Sequence, residues 1–317
     1  MALEVKLGKA TRDAYGEALV ELGNENKNVV VLDADLSKST KSGDFAKKYP
    51  ERFFNCGISE ANMVGMAAGF AGAGLIPYAS SFASFLVCKG FDQIRMSIAN
   101  PHLNVKLVGS HGGISLGEDG ASQQSVEDIA LACALPKFTV LVPSDAVITK
   151  FLTKRMSQIS SPVYMRTGRP KAPILYAENE TFEIGKAKTV REGNDVTVIA
   201  NGLLVMEALL AADELQKENI SVRVLDMFTV KPIDKEAVTK AAKETGAIVT
   251  AEEHLIGGAL SSYVSEVVVN TCPVPMDFVG VNDTYSESGK PDELLDKYGL
   301  RAKNIISAIR NVLARKK

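Results

Sequence analysis

The chain has 317 residues, of which 46% are apolar and 23% charged, and it contains no Trp. This length predicts two domains, each large enough for its own core. The net charge of −2 excludes the basic field that binding to nucleic acid or to an anionic membrane would need.

Cysteine spacing and the start of the chain indicate a reducing compartment. The four cysteines, at positions 56, 88, 133 and 272, form no C-x-x-C pair, so neither a zinc site nor a disulfide framework is predicted. The first residues lack the apolar run of a secretory signal. The uncharged run over residues 61–88 contains too much Gly, Pro and Ser for a membrane span. We therefore expect a cytoplasmic protein.

Apolar periodicity predicts alternating helices and strands over the first half of the chain. The predicted helices are Thr11–Leu22, one beginning near Glu60, Ser84–Ala99, Val126–Ala134 and Ala146–Ile159, and the predicted strands are Val29–Leu32, Ile76–Ala79, Val105–Val108, Thr139–Val142 and Val163–Arg166. Such alternation is typical of an α/β fold, in which helices cover both faces of a mostly parallel sheet.

A second α/β series follows a stretch that lacks this periodicity. We expect a first domain over residues 1–170, a linker rich in turn-forming residues over 171–192, and a second domain over 193–317. The second domain contains predicted strands at Val196–Ala200, Val222–Leu225, Ala247–Thr250 and Met276–Val279, and predicted helices at Leu203–Lys217, Lys235–Thr245, Gly258–Val269, Pro291–Tyr298 and Ala302–Ala314.

A single acid, Glu60, precedes a segment rich in Gly and Ala that has no further charge until Lys89. A carboxyl group in such surroundings would be desolvated, and its proton affinity would matter to chemistry. An acid at the start of a buried helix, favoured there by the helix dipole, explains the same pattern. The local sequence alone favours this structural interpretation.

The glycine-rich loop Gly109–Gln124 follows a predicted strand and contains His111. Functional residues concentrate on loops that a rigid sheet holds, but composition alone leaves the functional and structural interpretations of His111 equal. We expect His102 to be exposed in a turn, and His254 to have a structural or interface role. The sequence has no nucleotide-phosphate loop and no metal-binding motif.

Three segments, in this order and spacing, resemble the carboxyl-terminal half of a transketolase: Gly57–Gly69, Ser81–Phe85 and His111–Gln124. The resemblance covers essentially the whole chain and implies two consecutive α/β domains, a pyrimidine-binding thiamine-diphosphate fold and a transketolase carboxyl-terminal domain. In that family a separate amino-terminal domain holds the diphosphate and its metal, Mg²⁺ or Ca²⁺, through a G-D-G…N motif that this sequence lacks. The chain thus resembles one subunit of a split transketolase, which needs an amino-terminal partner subunit for activity.

The resemblance also implies which residues bind the cofactor. Glu60 matches the acid that hydrogen-bonds the aminopyrimidine ring and so activates thiamine diphosphate. Phe82 and Phe85 match the aromatic wall on which that ring stacks, although both would otherwise be read as ordinary core residues. Asp35 matches an acid near the cofactor and the dimer contact. We expect no metal ligand in this chain.

Other matches imply contacts with the substrate. The matches to the family's sugar-phosphate grip are Arg12, Ser39, His111 and Arg166, and we also count His111 as catalytic. Asp119 matches the acid that recognises a substrate hydroxyl near the reacting carbon. Gln123 stands where many members have histidine, and it can hydrogen-bond a substrate oxygen but cannot shuttle a proton. Lys89 lies near a position often held by arginine, and its role stays open.

The activity that this resemblance implies is transfer of a two-carbon ketol unit from a ketose phosphate to an aldose phosphate. Thiamine diphosphate would be shared with the partner subunit, and self-association across a two-fold axis would give a heterotetramer. Such an enzyme would serve pentose phosphate and other carbohydrate metabolism.

Three alternatives stay open. One is the β chain of a 2-oxo acid dehydrogenase, which the loop carrying His111 disfavours. A second is a deoxyxylulose-phosphate synthase-like protein, which the absence of an amino-terminal half disfavours in its complete form. The third is a non-catalytic member of the fold, which the joint presence of Glu60, Phe82, His111 and Asp119 disfavours.

Overall fold

The computed structural model describes residues 4–316, and helices and strands alternate through the first half as the apolar pattern predicts. The strands are β1 (Leu7–Ala10), β2 (Val29–Asp33), β3 (Phe53–Asn55), β4 (Ile76–Phe82), β5 (Lys106–Ser110), β6 (Thr139–Leu141), β7 (Val163–Arg166) and β8 (Lys171–Pro173). The helices are α1 (Thr11–Glu25), α2 (Ser37–Thr40), α3 (Gly43–Lys48), α4 (Glu60–Gly72), α5 (Gly90–Gln93), α6 (Asp128–Cys133) and α7 (Ala146–Met156). Short 3₁₀ turns cover Pro50–Arg52 and Ile114–Leu116.

The second half repeats this alternation. Its strands are β9 (Lys188–Arg191), β10 (Val196–Ala200), β11 (Val222–Asp226), β12 (Thr229–Lys231), β13 (Ile248–Leu255) and β14 (Met276–Val281). Its helices are α8 (Leu204–Gln216), α9 (Lys235–Thr245), α10 (Leu260–Thr271), α11 (Pro291–Lys297) and α12 (Ala302–Arg315). The predicted α/β class is confirmed. None of the helices among residues 4–316 combines the length and the apolar character that crossing a bilayer requires.

Two large sheets organise the chain. The first has the strand order β12-β6-β7-β5-β4-β2-β3 and the second the order β14-β13-β10-β11-β9. All neighbours are parallel except the edge strands β12 and β9. Each sheet has apolar clusters on both faces, which explains the continuous apolar runs in the central strands. The carboxyl ends of β2, β4, β5 and β7 therefore meet along one edge of the first sheet.

One strand of the second half joins the first sheet. Strand β12 pairs antiparallel with β6, with Thr229 opposite Leu141. No strand was expected there, because three residues are too few to show a period of two. The two halves are therefore joined by backbone hydrogen bonds as well as by side chains.

The predicted linker contains two strands, of which β9 is the edge strand of the second sheet. Strand β8 pairs with β1. The carboxylate of Asp145, which also caps α7, accepts hydrogen bonds from the backbone N–H groups of Leu175 and Tyr176. Farther along the linker, the ring of Phe182 packs against the rings of Phe151, Tyr176 and Phe228. The missing periodicity thus reflects irregular packing of an ordered segment.

The helix predicted over Ser84–Ala99 has wide π-type turns on both sides of α5, at Phe85–Lys89 and Ile94–Ala99. Gly90 lies between these turns, where an added Cβ would be 3.1 Å from Val64. Such turns often mark functional sites. Here they occur beside the start of α4, which begins with Glu60.

A buried carboxyl group lies where the two halves meet. Asp226, at the end of β11, accepts hydrogen bonds from the hydroxyls of Ser144 and Tyr176. Its other oxygen has no partner among the described residues. Burial raises the pKa of Asp226 to about 7, so the folded chain holds this proton more tightly than the unfolded chain does. The folded state is favoured while the acid is neutral, and this advantage falls as pH rises toward 7.

Asp226→Asn should remove this pH dependence. Relative to wild type, the free energy of unfolding of the variant in urea should rise by about 2 kcal/mol between pH 5 and pH 8. Asp234→Asn is the matched control, because the buried Asp234 carboxylate is held by the backbone N–H groups of Ala187 and Ala237. An Asp226→Asn effect that is equal at both pH values would contradict the raised pKa.

Candidate active site

The candidate site lies along the carboxyl edge of the first sheet. Parallel pairing sets Asp33 opposite Ser80, Phe82 opposite Ser110, and Gly109 opposite Arg166. The loops that leave these strands therefore converge at one edge, where open α/β sheets bind ligands.

Glu60 is the first residue of α4 and is 3% exposed. The Ser81 hydroxyl donates to Glu60 Oε1 at 3.3 Å, and Lys89 Nζ lies 3.6 Å from Oε2. The helix start explains its position, as the dipole interpretation predicts. Buried beside one hydroxyl and one ammonium group, the carboxylate keeps hydrogen-bonding capacity for a ligand.

Aromatic rings line the neighbouring surface. Phe82 and Phe85 are nearly parallel, with centroids 5.7 Å apart and an interplanar angle of 18°. The His111 ring stacks on Phe82 at 4.0 Å. Lys89 Nζ lies 4.3 Å from the centroid of the Phe85 ring, so Lys89 contacts both the acid and the aromatic wall. Phe82 joins this wall to the loop that carries His111.

His111 is a neutral imidazole held at both nitrogens. Arg12 Nη1 lies 2.9 Å from His111 Nε2, and Ser110 Oγ lies 2.8 Å from Nδ1. A guanidinium can only donate, so Nε2 accepts and Nδ1 carries the proton. Burial and the nearby cations Arg12, Arg169 and Lys41 lower the pKa of His111 to about 3. To act as a base through Nε2, His111 would have to lose its contact with Arg12.

Three cations surround this imidazole. Arg12 Nη1 also donates to the backbone carbonyl of Ser39, at 3.2 Å. Burial lowers the pKa of Arg12, and the charge of Arg169 lowers it further. Arg12 Nε is buried and has no partner among the described residues. Arg12, Arg169 and Lys41 form a cationic region in which Arg169 pairs with Glu118 and Lys41 with Asp13. An anion bound at Arg12 would relieve the repulsion that these pairs leave.

Arg166 is held mainly by groups of the protein itself. Its guanidinium pairs with Asp128 and donates to the backbone carbonyls of Ser125 and Glu253, so each nitrogen has a protein acceptor. Burial opposes its charge, but Asp128 more than offsets this and raises the pKa of Arg166. The hydrogen bonds use four of its five N–H groups, so one N–H, on Nη1, is left for a substrate. The expected role of Arg166 in a sugar-phosphate grip stays a prediction.

Arg169 is the functional candidate that the sequence reasoning missed. Its side chain is 39% exposed, and it is held by the Leu116 carbonyl and by Glu118. Both arginines are in the Met-Arg-Thr-Gly-Arg-Pro run that ends strand β7. The useful signal was position, since Arg166 is still within the strand and Arg169 lies in the loop beyond its carboxyl end.

The loop after β2 is shaped by Asp33, to which the sequence pattern assigns no role. The buried carboxylate of Asp33 accepts hydrogen bonds from the Leu36 N–H and from the hydroxyls of Thr40 and Ser42. Burial raises its pKa, and these donors oppose the rise. Asp35, which has a positive φ of 65°, is exposed and accepts a hydrogen bond from Asn55. This network sets the position of Ser39.

The remaining candidates lie on the loop after β5. Asp119 is exposed, and within residues 4–316 its side chain has no hydrogen-bond or ion-pair partner. The Gln123 carbonyl accepts a hydrogen bond from Ser84 Oγ at 2.9 Å, which ties this loop to the aromatic wall. His254 is buried and accepts from the Ala130 N–H at 3.2 Å, a structural contact between the two halves.

Parts of the site fit the pyrimidine end of thiamine diphosphate. A buried carboxylate beside nearly parallel aromatic rings matches a flat ring that carries a hydrogen-bonding nitrogen. Within residues 4–316 there is no cluster of three or more His, Cys, Asp or Glu side chains that could hold a metal ion.

Comparison with known proteins agrees with this geometry. The family model for the transketolase pyrimidine-binding domain matches residues 8–174, and that for the transketolase C-terminal domain matches residues 185–305. Over 95% of both chains, the sequence is 46% identical to a protein from Methanocaldococcus jannaschii named as a transketolase C-terminal section. It is 41% identical to the 6-deoxy-6-sulfo-D-fructose transketolase subunit SqwH of a Clostridium species, over 99% of this chain and 98% of that one.

Longer relatives and solved structures match as well. Human transketolase is 41% identical over 96% of this chain, which spans 49% of the human protein. A solved split-gene transketolase, described as an inactive β4 tetramer, is 49% identical with a TM-score of 0.92, over 98% of this chain and 100% of that one. The chain therefore belongs to the transketolase family, as a carboxyl-terminal section of the kind found in split transketolases.

Proposed function

We propose that the chain is a catalytic subunit that transfers a two-carbon ketol unit from a ketose phosphate to an aldose phosphate. One observation carries the proposal. Phe82 lies between the acid pocket, formed by Glu60 with Ser81, Lys89 and Phe85, and the cationic region, since it stacks on His111 and lies parallel to Phe85. A cofactor ring bound at Glu60 and an anionic substrate bound near Arg12 would then occupy adjacent positions.

Each part of the acid pocket has a defined task. Thiamine diphosphate, when bound, supplies the carbon nucleophile and the electron sink for two-carbon transfer. Glu60 shares a proton with the aminopyrimidine nitrogen, and its burial strengthens that hydrogen bond. Ser81 orients the carboxylate. Phe82 and Phe85 fix the plane of the ring by stacking. Asp35 lies in the exposed loop after β2, where it accepts a hydrogen bond from Asn55.

The cationic region recognises the sugar phosphate. Arg12 and Arg169 present planar donors that suit phosphate oxygens. The neutral His111 orients Arg12 through Nε2, and Ser39 adds a hydroxyl at the start of the same region. Asp119 and Gln123, on the loop after β5, contact the sugar hydroxyls.

An amino-terminal partner subunit holds the diphosphate and its metal ion in this proposal. Self-association uses the outer face of α4, where Gly65 and Gly69 are exposed and an added Cβ would meet nothing within 4 Å. Ile58, just before this helix, is 79% exposed. We propose a heterotetramer with two-fold symmetry. The four cysteines are free, which fits the proposed cytoplasmic location.

The chain alone should show no ketol transfer with thiamine diphosphate and magnesium, because its sequence lacks the G-D-G…N motif that holds the diphosphate and its metal in this family. A coupled assay with a ketose phosphate and an aldose phosphate should detect activity only after an amino-terminal subunit carrying the G-D-G…N motif is added. Equal activity with and without that subunit would contradict the proposed partnership.

Glu60→Ala should lower kcat of the reconstituted complex by about 10²–10⁴-fold, the usual contribution of a positioned acid or base. Proton exchange at the thiazolium carbon, followed by NMR, should fall with it. Glu51→Gln changes an exposed acid outside the site and serves as the control. Wild-type exchange in Glu60→Ala would show that Glu60 does not activate the cofactor.

Arg12→Ala and Arg169→Ala should each raise KM for phosphorylated sugars by about tenfold or more, because each removes a charge-assisted hydrogen bond. The KM for the matching unphosphorylated sugars should change far less. Arg155→Ala, which removes an exposed arginine of α7, should leave both values unchanged. Equal effects of the site variants on both sugar classes would reject the phosphate site.

A further inference from the structure

The loop that carries His111 is folded against the second half of the chain. Ile114 and Val126 belong to the apolar cluster that α8, α12 and the second sheet form. The Leu255 N–H, at the end of β13, donates to the Val126 carbonyl at 2.9 Å. The conformation of this loop therefore depends on a part of the chain to which the proposed function gives no chemical role.

Glu253 makes the most direct of these contacts. It lies in β13, is 7% exposed, and its Oε1 accepts the Ser115 N–H at 2.6 Å. Gly113 has a φ of +83°, and a Cβ there would lie 2.2 Å from the carboxyl carbon of Glu253. The carboxyl group therefore packs on bare backbone just after His111, where only glycine allows this approach.

The carboxyl-terminal end of this loop is also held by the second half of the chain. Gln124 Nε2 donates to the carbonyls of Gly117 and Glu287, both at 3.1 Å. At Gly120 a Cβ would lie 2.4 Å from Ser288 Oγ. The residues on either side of Asp119 are thus fixed against the segment that precedes α11, while Asp119 stays exposed.

We propose that Glu253 is a positioning residue, which holds the loop so that His111 and Asp119 face the sugar phosphate. This inference rests on the proposed function for its substrate, but the contact is independent of that substrate. Without the Glu253 acceptor, the Ser115 N–H would be buried and unpaired, and the loop would gain stability by opening to water. A glutamine would retain an acceptor oxygen at the same reach, whereas an alanine would not.

Hydrogen–deuterium exchange on the full chain tests the contact without any assay of activity. In Glu253→Ala, amides of residues 112–118 should exchange about tenfold faster or more, and in Glu253→Gln less than about threefold faster. Glu252→Ala is the matched control. Its carboxylate is also buried in β13 but accepts the Leu260 and Ser261 N–H groups at the start of α10, so only exchange near α10 should rise.

Kinetics of the complex with the amino-terminal subunit supply the functional test. Glu253→Ala should raise KM for phosphorylated sugars about tenfold while thiamine diphosphate affinity stays unchanged, and Glu253→Gln should restore the wild-type KM. If Glu253→Ala does not fold, Glu253→Asp, which withdraws the acceptor by one methylene, takes its place. Wild-type exchange in residues 112–118 would overturn the proposal. If Glu253→Ala exchanges faster but the wild-type complex shows no ketol transfer, the positioning contact stands and only the proposed function is overturned.

Discussion

The buried ion pair between Arg166 and Asp128 is the interaction on which the rest of the structure depends. Besides Asp128, the guanidinium binds the carbonyls of Ser125, in the loop after β5, and Glu253, in β13. One side chain thus connects a strand end, a helix start, a loop and the second sheet. Removing one partner of a buried pair leaves an uncompensated charge and typically costs about 3–5 kcal/mol. These elements therefore reach their native arrangement together.

Burial also determines which groups carry charge at the candidate site. His111 is held neutral because desolvation and three cations oppose a second proton. The unprotonated Nε2 can then accept a hydrogen bond from Arg12. This bond orients the positively charged guanidinium toward the proposed substrate. The buried carboxylate of Glu60 lies close to Ser81 and Lys89. The site thus keeps an acid and a cationic region apart with a layer of aromatic rings.

The sequence predicted the longer strands and helices in their order and the position of Glu60, because both depend on local periodicity and on a helix start. It did not predict the short strands β1, β3, β8 and β9 or the short helices α2 and α3. It could not separate Arg166 from Arg169. Three residues apart at a strand end, they differ through Asp128 and Glu253, which are distant in sequence. It also missed β12, which becomes a strand only by pairing with β6. The resemblance identifies candidate site residues from the spacing of motifs. The partners of those residues depend on tertiary contacts, which no local sequence pattern predicts.

Strand β12 has a consequence for how a gene of this family can be divided. A cut between the two halves would place β12 and β6 on separate polypeptides, and β6 would become an unprotected edge strand prone to aggregation. Such a cut would also separate Arg166 from the Glu253 carbonyl. Gene fission or fusion is therefore disfavoured at residues 171–192, even though the sequence there reads as a linker. In recombination and in engineering, the two halves should therefore stay on one polypeptide.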